Sequence, residues 1–168
     1  MTMANDDQYE NGDYTPTVFI VDDEAMVTSA LEAFLGLETS YSVEAFNAPR
    51  DALARLNGAP VDVVVADFLM PDMDGIQFLR QVRDVKPEVT RILLTGYADK
   101  QNAIRAINEV GLYHYLEKPW DNDHLLLIIR NAIERTKLFR DLGEKVDALE
   151  SAHDSLSDIR QRLIKTFV

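Results

Sequence analysis

The 168-residue chain has no cysteine. That excludes a disulfide framework and any thiolate-held metal, and it fits a reducing compartment. It has no run of 18 apolar residues, so no segment is expected to span a membrane. The N-terminal stretch MTMANDDQYENGDYTP lacks the basic and apolar regions of a signal peptide. It is polar and acidic, and residues 1–16 are expected to form a disordered arm on a cytoplasmic protein. Basic residues are scarce, 17 against 29 acidic, for a net charge of −12. From Leu138 to the end five basic residues face six acidic ones, which leaves 12 against 23 in the first 137. So acidic a body repels phosphate backbones, which argues against direct binding of nucleic acid.

What remains is an ordinary globular composition, 46% apolar, in a length that allows one domain plus an appendage. Two periods alternate along it. TVFIV (17–21), YSVEAF (41–46), VDVVVAD (61–67), TRILLT (90–95) and LYHYLE (112–117) read as strands. VDVVV is apolar and β-branched enough to be buried on both faces. Between the strands, 24–35, Ala48 to Leu56, Gly75 to Val85 and Lys100 to Val110 carry apolar residues at helical spacing. A long helix starts after Pro119-Trp120-Asp121, where Asp121, Asn122 or Asp123 can cap it. Five alternations predict an α/β fold, a doubly wound five-stranded parallel sheet with helices on both faces.

Ligands of such sheets bind beyond the carboxyl ends of the strands. The first strand ends in Asp22-Asp23, the third in Asp67, the fourth in Thr95-Gly96 and the fifth in Lys118-Pro119. Three converging carboxylates repel unless a positive charge sits among them. Mg²⁺, which takes oxygen ligands and often completes its shell with a phosphate oxygen, is the natural occupant. Lys118 adds a movable ammonium and Thr95 a hydroxyl. Asp72 and Asp74 read as turn formers ahead of Gly75. His114 and His124 belong to no nucleophile or metal pattern and are taken as structural.

The set VDDE, the Asp before FLMPDMDG, LLTGYAD and YLEKPW, in that order and spacing, resembles the CheY-like receiver domain of two-component response regulators over about residues 17–137. The resemblance implies strand order 2-1-3-4-5, and Asp67 as a carboxylate nucleophile phosphorylated by a histidine kinase or phosphotransfer protein. It implies Mg²⁺ held by Asp23, Asp67 and the backbone carbonyl of Leu69, with Asp22 acting through water. It implies that Lys118 pairs with the phosphoryl oxygens, that Gly96 leaves room for the group and that Thr95 bonds to it. A cis peptide before Pro119 belongs to the same pattern. Tyr115 is then the aromatic switch that turns inward, with Tyr113 on the same strand face and His114 on the other. The reshaped face of the fourth helix, fifth strand and fifth helix carries the signal. Such a domain is a signalling module and not an enzyme with a substrate of its own.

From Phe139 onward a heptad runs on. Leu142, Leu149, Leu156 and Leu163 fall at d, with Phe139, Val146, His153, Arg160 and Phe167 at a. Residues 138–168 are therefore expected to form a coiled coil that makes a homodimer, rather than to fold back on the receiver. The chain stops at TFV in mid-heptad. Two alternatives stand: the input half of a longer cyclic-dinucleotide enzyme (HD-GYP or GGDEF type), and a phosphorylation-independent dimeric scaffold. A dehalogenase-like phosphatase would want an Asp two residues after Asp67, and Leu69 stands there.

Overall fold

Every strand signal in the sequence becomes a strand of one sheet. The computed structural model describes residues 14–167, apart from the side chain of Tyr97, so most of the expected arm lies outside the described residues. The elements are β1 (Thr17–Val21), α1 (Ala25–Glu38), β2 (Ser42–Phe46), α2 (Pro49–Leu56), β3 (Val63–Asp67), α3 (Gly75–Val85), β4 (Thr90–Thr95), a 3₁₀ turn (Tyr97–Asp99), α4 (Lys100–Val110), β5 (His114–Glu117) and α5 (Asn122–Phe167). All strand pairs are parallel, in the order β2-β1-β3-β4-β5.

Side chains alternate across the sheet, so each central strand feeds two cores. Val18, Ile20, Val63, Val65, Ile92 and Leu94 pack with Leu31 and Leu35 of α1 and with Leu125, Ile129 and Ala132 of α5. Phe19, Val21, Val64, Ala66 and Leu93 pack with α2, α3 and α4 through Leu56, Phe78, Leu79, Ala103 and Val110. Burial on both sides is why β3 reads as an unbroken apolar run. The chain order reverses at β1 and β3, and their carboxyl ends open the crevice where such sheets hold ligands.

Asp74 caps α3, accepting from the Gln77 N–H at 2.8 Å, while the Gln77 side chain accepts from the Asp74 N–H at 3.1 Å. Asp72 takes a left-handed φ of 67°, a conformation aspartate tolerates. Of the three candidates for α5, Asp121 is the cap, accepting from the His124 N–H at 2.9 Å. One strand-face expectation fails. β5 begins only at His114, and Tyr113 ahead of it packs on the α5 side while Tyr115 packs on the α4 side. Strict alternation does not extend past the end of a strand.

At the opposite edge of the sheet, Asp62 is fully buried and ties α5 to the body. It accepts from the Thr17 N–H at 2.7 Å, from Arg140 Nη1 at 2.6 Å and from the Tyr14 hydroxyl. Burial, then the bond to Asp62, pushes the Tyr14 phenol up to about 12. Thr136 Oγ1 donates to the Asp62 carbonyl at 2.7 Å. Asp62→Ala strands the Thr17 N–H and part of the Arg140 guanidinium, at a cost on the order of 3 kcal/mol. Urea unfolding should show it as a lower midpoint at unchanged slope.

Beyond this clasp α5 runs on as part of one 46-residue helix, about 69 Å at roughly 1.5 Å per residue. It does not fold back. Leu142, Leu149, Leu156 and Leu163 are all more than half exposed. Among the described residues no helix is long and apolar enough to cross a membrane.

Candidate functional site

Three strand ends deliver the acids and the ammonium. Asp22 follows β1 and is completely buried; its Oδ1 accepts from the Glu24 N–H at 2.9 Å and its Oδ2 from Lys118 Nζ at 3.1 Å. Asp67 ends β3, is nearly buried, and lies with Oδ1 3.0 Å from the same ammonium. Asp23 is exposed at the rim. One carboxylate oxygen from each of Asp22, Asp23 and Asp67 lies within 4.8 Å of the others. Lys118 follows β5, its N–H donating to the Thr95 carbonyl at 2.8 Å, and the Lys118-Pro119 peptide is cis.

Thr95 ends β4 and is fully buried; its hydroxyl donates to the Gly96 carbonyl at 2.8 Å. Among the described residues, and apart from its chain neighbours, a methyl group added at Gly96 would meet only Asp99 Oδ2, at an ordinary contact distance of 3.7 Å. Leu69 stands in the loop after β3 with its side chain exposed. Tyr115, partly buried, lies against the α4-side core.

The electrostatics are those of crowded carboxylates. Burial raises the Asp67 carboxyl above its ordinary value; the bond to Lys118 opposes this, and the charge of Asp22 adds to it. Burial works against the charge on Lys118, but its bonds to Asp67 and Asp22 outweigh that and hold its ammonium above the usual lysine value. Two buried carboxylates sharing one ammonium, with a third at the rim, leave negative charge in excess and unshared oxygen lone pairs.

Two features escaped the sequence reading. A methyl group at Gly75 would sit 2.2 Å from the Asp67 carbonyl oxygen and 2.9 Å from Leu93 Cδ1. Gly75 therefore lets the start of α3 pass directly against the Asp67 backbone, and its N–H donates to the Phe68 carbonyl at 2.8 Å. Its position after DMD, opening a helix, was the available signal. Gly75→Ala must displace one backbone or the other. It should lower the urea midpoint and slow any modification of Asp67, read by the rate of intact-mass change. The second feature is the pair His114 and His124, read separately in the sequence. Their rings stand edge-on with centroids 5.9 Å apart. Burial, then the neighbouring His124, lowers the His114 imidazole below its usual value.

A family model described as the response regulator receiver domain matches residues 18–130. The chain is 38% identical over 130 residues to the hydrogenase transcriptional regulatory protein HoxA of Cupriavidus necator, covering 77% of this chain and 27% of that protein. It is 34% identical over 147 residues to the transcriptional regulatory protein FixJ of Rhizobium meliloti, covering 88% and 66%. The first curated relatives are much longer, and the chain spans between 25% and 31% of their length. Among solved structures, the signal receiver domain of an HD domain-containing protein from Pseudomonas fluorescens Pf-5 superposes with a TM-score of 0.70 at 35% identity, covering 74% of this chain and 98% of that one. With the sheet order, the acidic crevice and a family match over most of its length, this chain belongs to the response regulator receiver domain family.

Proposed function

We propose that residues 17–137 form a phosphorylatable receiver in which Asp67 takes a phosphoryl group from the phosphohistidine of a histidine kinase or phosphotransfer protein. The observation that carries this reading is the Lys118 ammonium, held between Asp67 at 3.0 Å and Asp22 at 3.1 Å at the topological switch of the sheet. An oxygen of the Asp67 carboxylate attacks phosphorus, the P–N bond to the imidazole breaks, and an acyl phosphate remains. Ionised Asp67 is the reactive form.

The donor set fits a hard divalent cation: oxygen ligands only, excess negative charge and a rim open to water. Mg²⁺ would be held by Asp23, Asp67 and the Leu69 backbone carbonyl, with Asp22 behind them. When bound it supplies neutralisation of the transferring oxygens, the main requirement of phosphoryl transfer. Lys118 exchanges part of its contact with Asp67 for the phosphoryl oxygens. The Thr95 hydroxyl leaves the Gly96 carbonyl to donate to the new group, beside Gly96, which carries no side chain. Tyr115 follows into the room behind Thr95. The face of α4, β5 and α5 then has two arrangements biased by one local charge. Residues 138–168 act as a dimerising stalk, supported by the exposed leucine seam of α5.

Intact mass after incubation with acetyl phosphate tests the core of this reading. The chain should gain one phosphoryl group with Mg²⁺ and none after chelation. No gain with Mg²⁺ present would overturn it.

A further inference from the structure

We propose that Asn47 is a positioning residue for the acidic pair, holding the Asp22-Asp23 backbone so that Asp23 faces the divalent cation; this rests on the Mg²⁺ reading above. The ladder between β1 and β2 pairs Val21 with Phe46, and the Asp22 N–H donates to the Phe46 carbonyl at 3.1 Å. The next ladder bond would run to the Asp22 carbonyl from the backbone N–H of Ala48. The chain has by then turned away, since Ala48 is the N-cap of α2 and Pro49 its first residue. The Asn47 side chain supplies the missing donor. Its Nδ2 lies 2.9 Å from the Asp22 carbonyl oxygen and 3.1 Å from Thr28 Oγ1. Thr28 is buried, and its hydroxyl donates onward to the Ala25 carbonyl at 3.1 Å. One amide thus joins the end of β2, the end of β1 and the first turn of α1.

The consequence lies at Asp23. The Asp22 carbonyl and the Asp23 N–H share one rigid peptide plane, so fixing the carbonyl fixes where Asp23 leaves the strand. Asp22 needs no such help, because both its carboxylate oxygens are already held. Asp23 is exposed, and among the described residues no side-chain bond orients it. Its direction is therefore inherited from the backbone that Asn47 holds. An edge strand otherwise remote from the chemistry acquires a part in setting the metal geometry.

Calorimetric titration of the full chain with Mg²⁺, paired with urea unfolding, tests this. Asn47→Ala should weaken Mg²⁺ binding about tenfold, the size of one lost hydrogen bond. Thr28→Val keeps the shape of Thr28 but removes the hydroxyl behind Asn47. It should weaken binding about threefold, and the double variant should bind no more weakly than Asn47→Ala alone. Thr28→Val also serves if Asn47→Ala fails to fold. An Asn47→Ala chain less stable in urea, yet binding Mg²⁺ within about twofold of the native chain, would overturn the proposal and leave Asn47 a strand cap. Additive losses in the double variant would overturn it as well. A native chain that binds no Mg²⁺ would instead overturn the metal reading itself.

Discussion

Asp67→Asn should abolish the Mg²⁺-dependent gain of a phosphoryl group while leaving the fold intact. An amide has no carboxylate oxygen to attack phosphorus, so the loss should be complete rather than graded. Unfolding is a poor alternative explanation, because Asp67 is costly where it stands. It is nearly buried, beside the completely buried Asp22, and burial raises its carboxyl value. A neutral isostere removes that repulsion and leaves Lys118 paired with Asp22 at 3.1 Å. Asp67→Asn should therefore equal or exceed the native chain in urea stability. Asp74→Asn is the matched control. Asp74 only caps α3, and asparagine caps comparably, so phosphorylation should proceed as in the native chain. A persistent mass gain in Asp67→Asn would mean that the nucleophile is misassigned.

Removal of residues 142–168 should turn a dimer into a monomer with a native receiver fold. The cut falls after Arg140 for a structural reason. Arg140 bridges to buried Asp62 at 2.6 Å, so a cut at Leu138 would also open the clasp beneath the sheet. The seam removed carries Leu142, Leu149, Leu156 and Leu163 at d, all exposed in the single chain. Burying a leucine side chain stabilises by about 1.5–3 kcal/mol, so four per chain are enough to hold two helices together at micromolar concentrations. His153 and Arg160 at a positions subtract from this and set the register. Sedimentation of the intact and shortened chains at tens of micromolar reads the result. An intact chain that sediments as a monomer would rule out the coil. A shortened chain that remains dimeric would move the interface onto the receiver body.

The alternation of strands and helices, the burial of β3 on both faces and the strand-end cluster could all be read from the chain alone, while the order of the sheet was implied by the family resemblance. Each depends on local periodicity or on a topology that admits few solutions. An apolar run of strand length must be covered on both faces, and parallel strands joined by helices put their carboxyl ends on one edge. Asp22, Asp23, Asp67 and Lys118 meet for that reason, though Lys118 is 96 positions from Asp22. The continuation of α5 past Lys137 was equally legible, since no proline follows there. Only the tertiary structure decided which non-local partners the other polar groups find. Asp62, expected within the strand 61–67, instead precedes β3, and it is buried because the Thr17 N–H, Tyr14 and Arg140 converge on it from three segments. Gly75 is needed because of its distance to the Asp67 carbonyl, and Asn47 is engaged because α2 turns away one residue early. The approach of His124 to His114 depends on where the first turn of α5 lands beside β5. Periodicity in a sequence specifies which face of an element is buried, whereas these contacts depend on how far apart two packed elements stand, a distance set by the whole core.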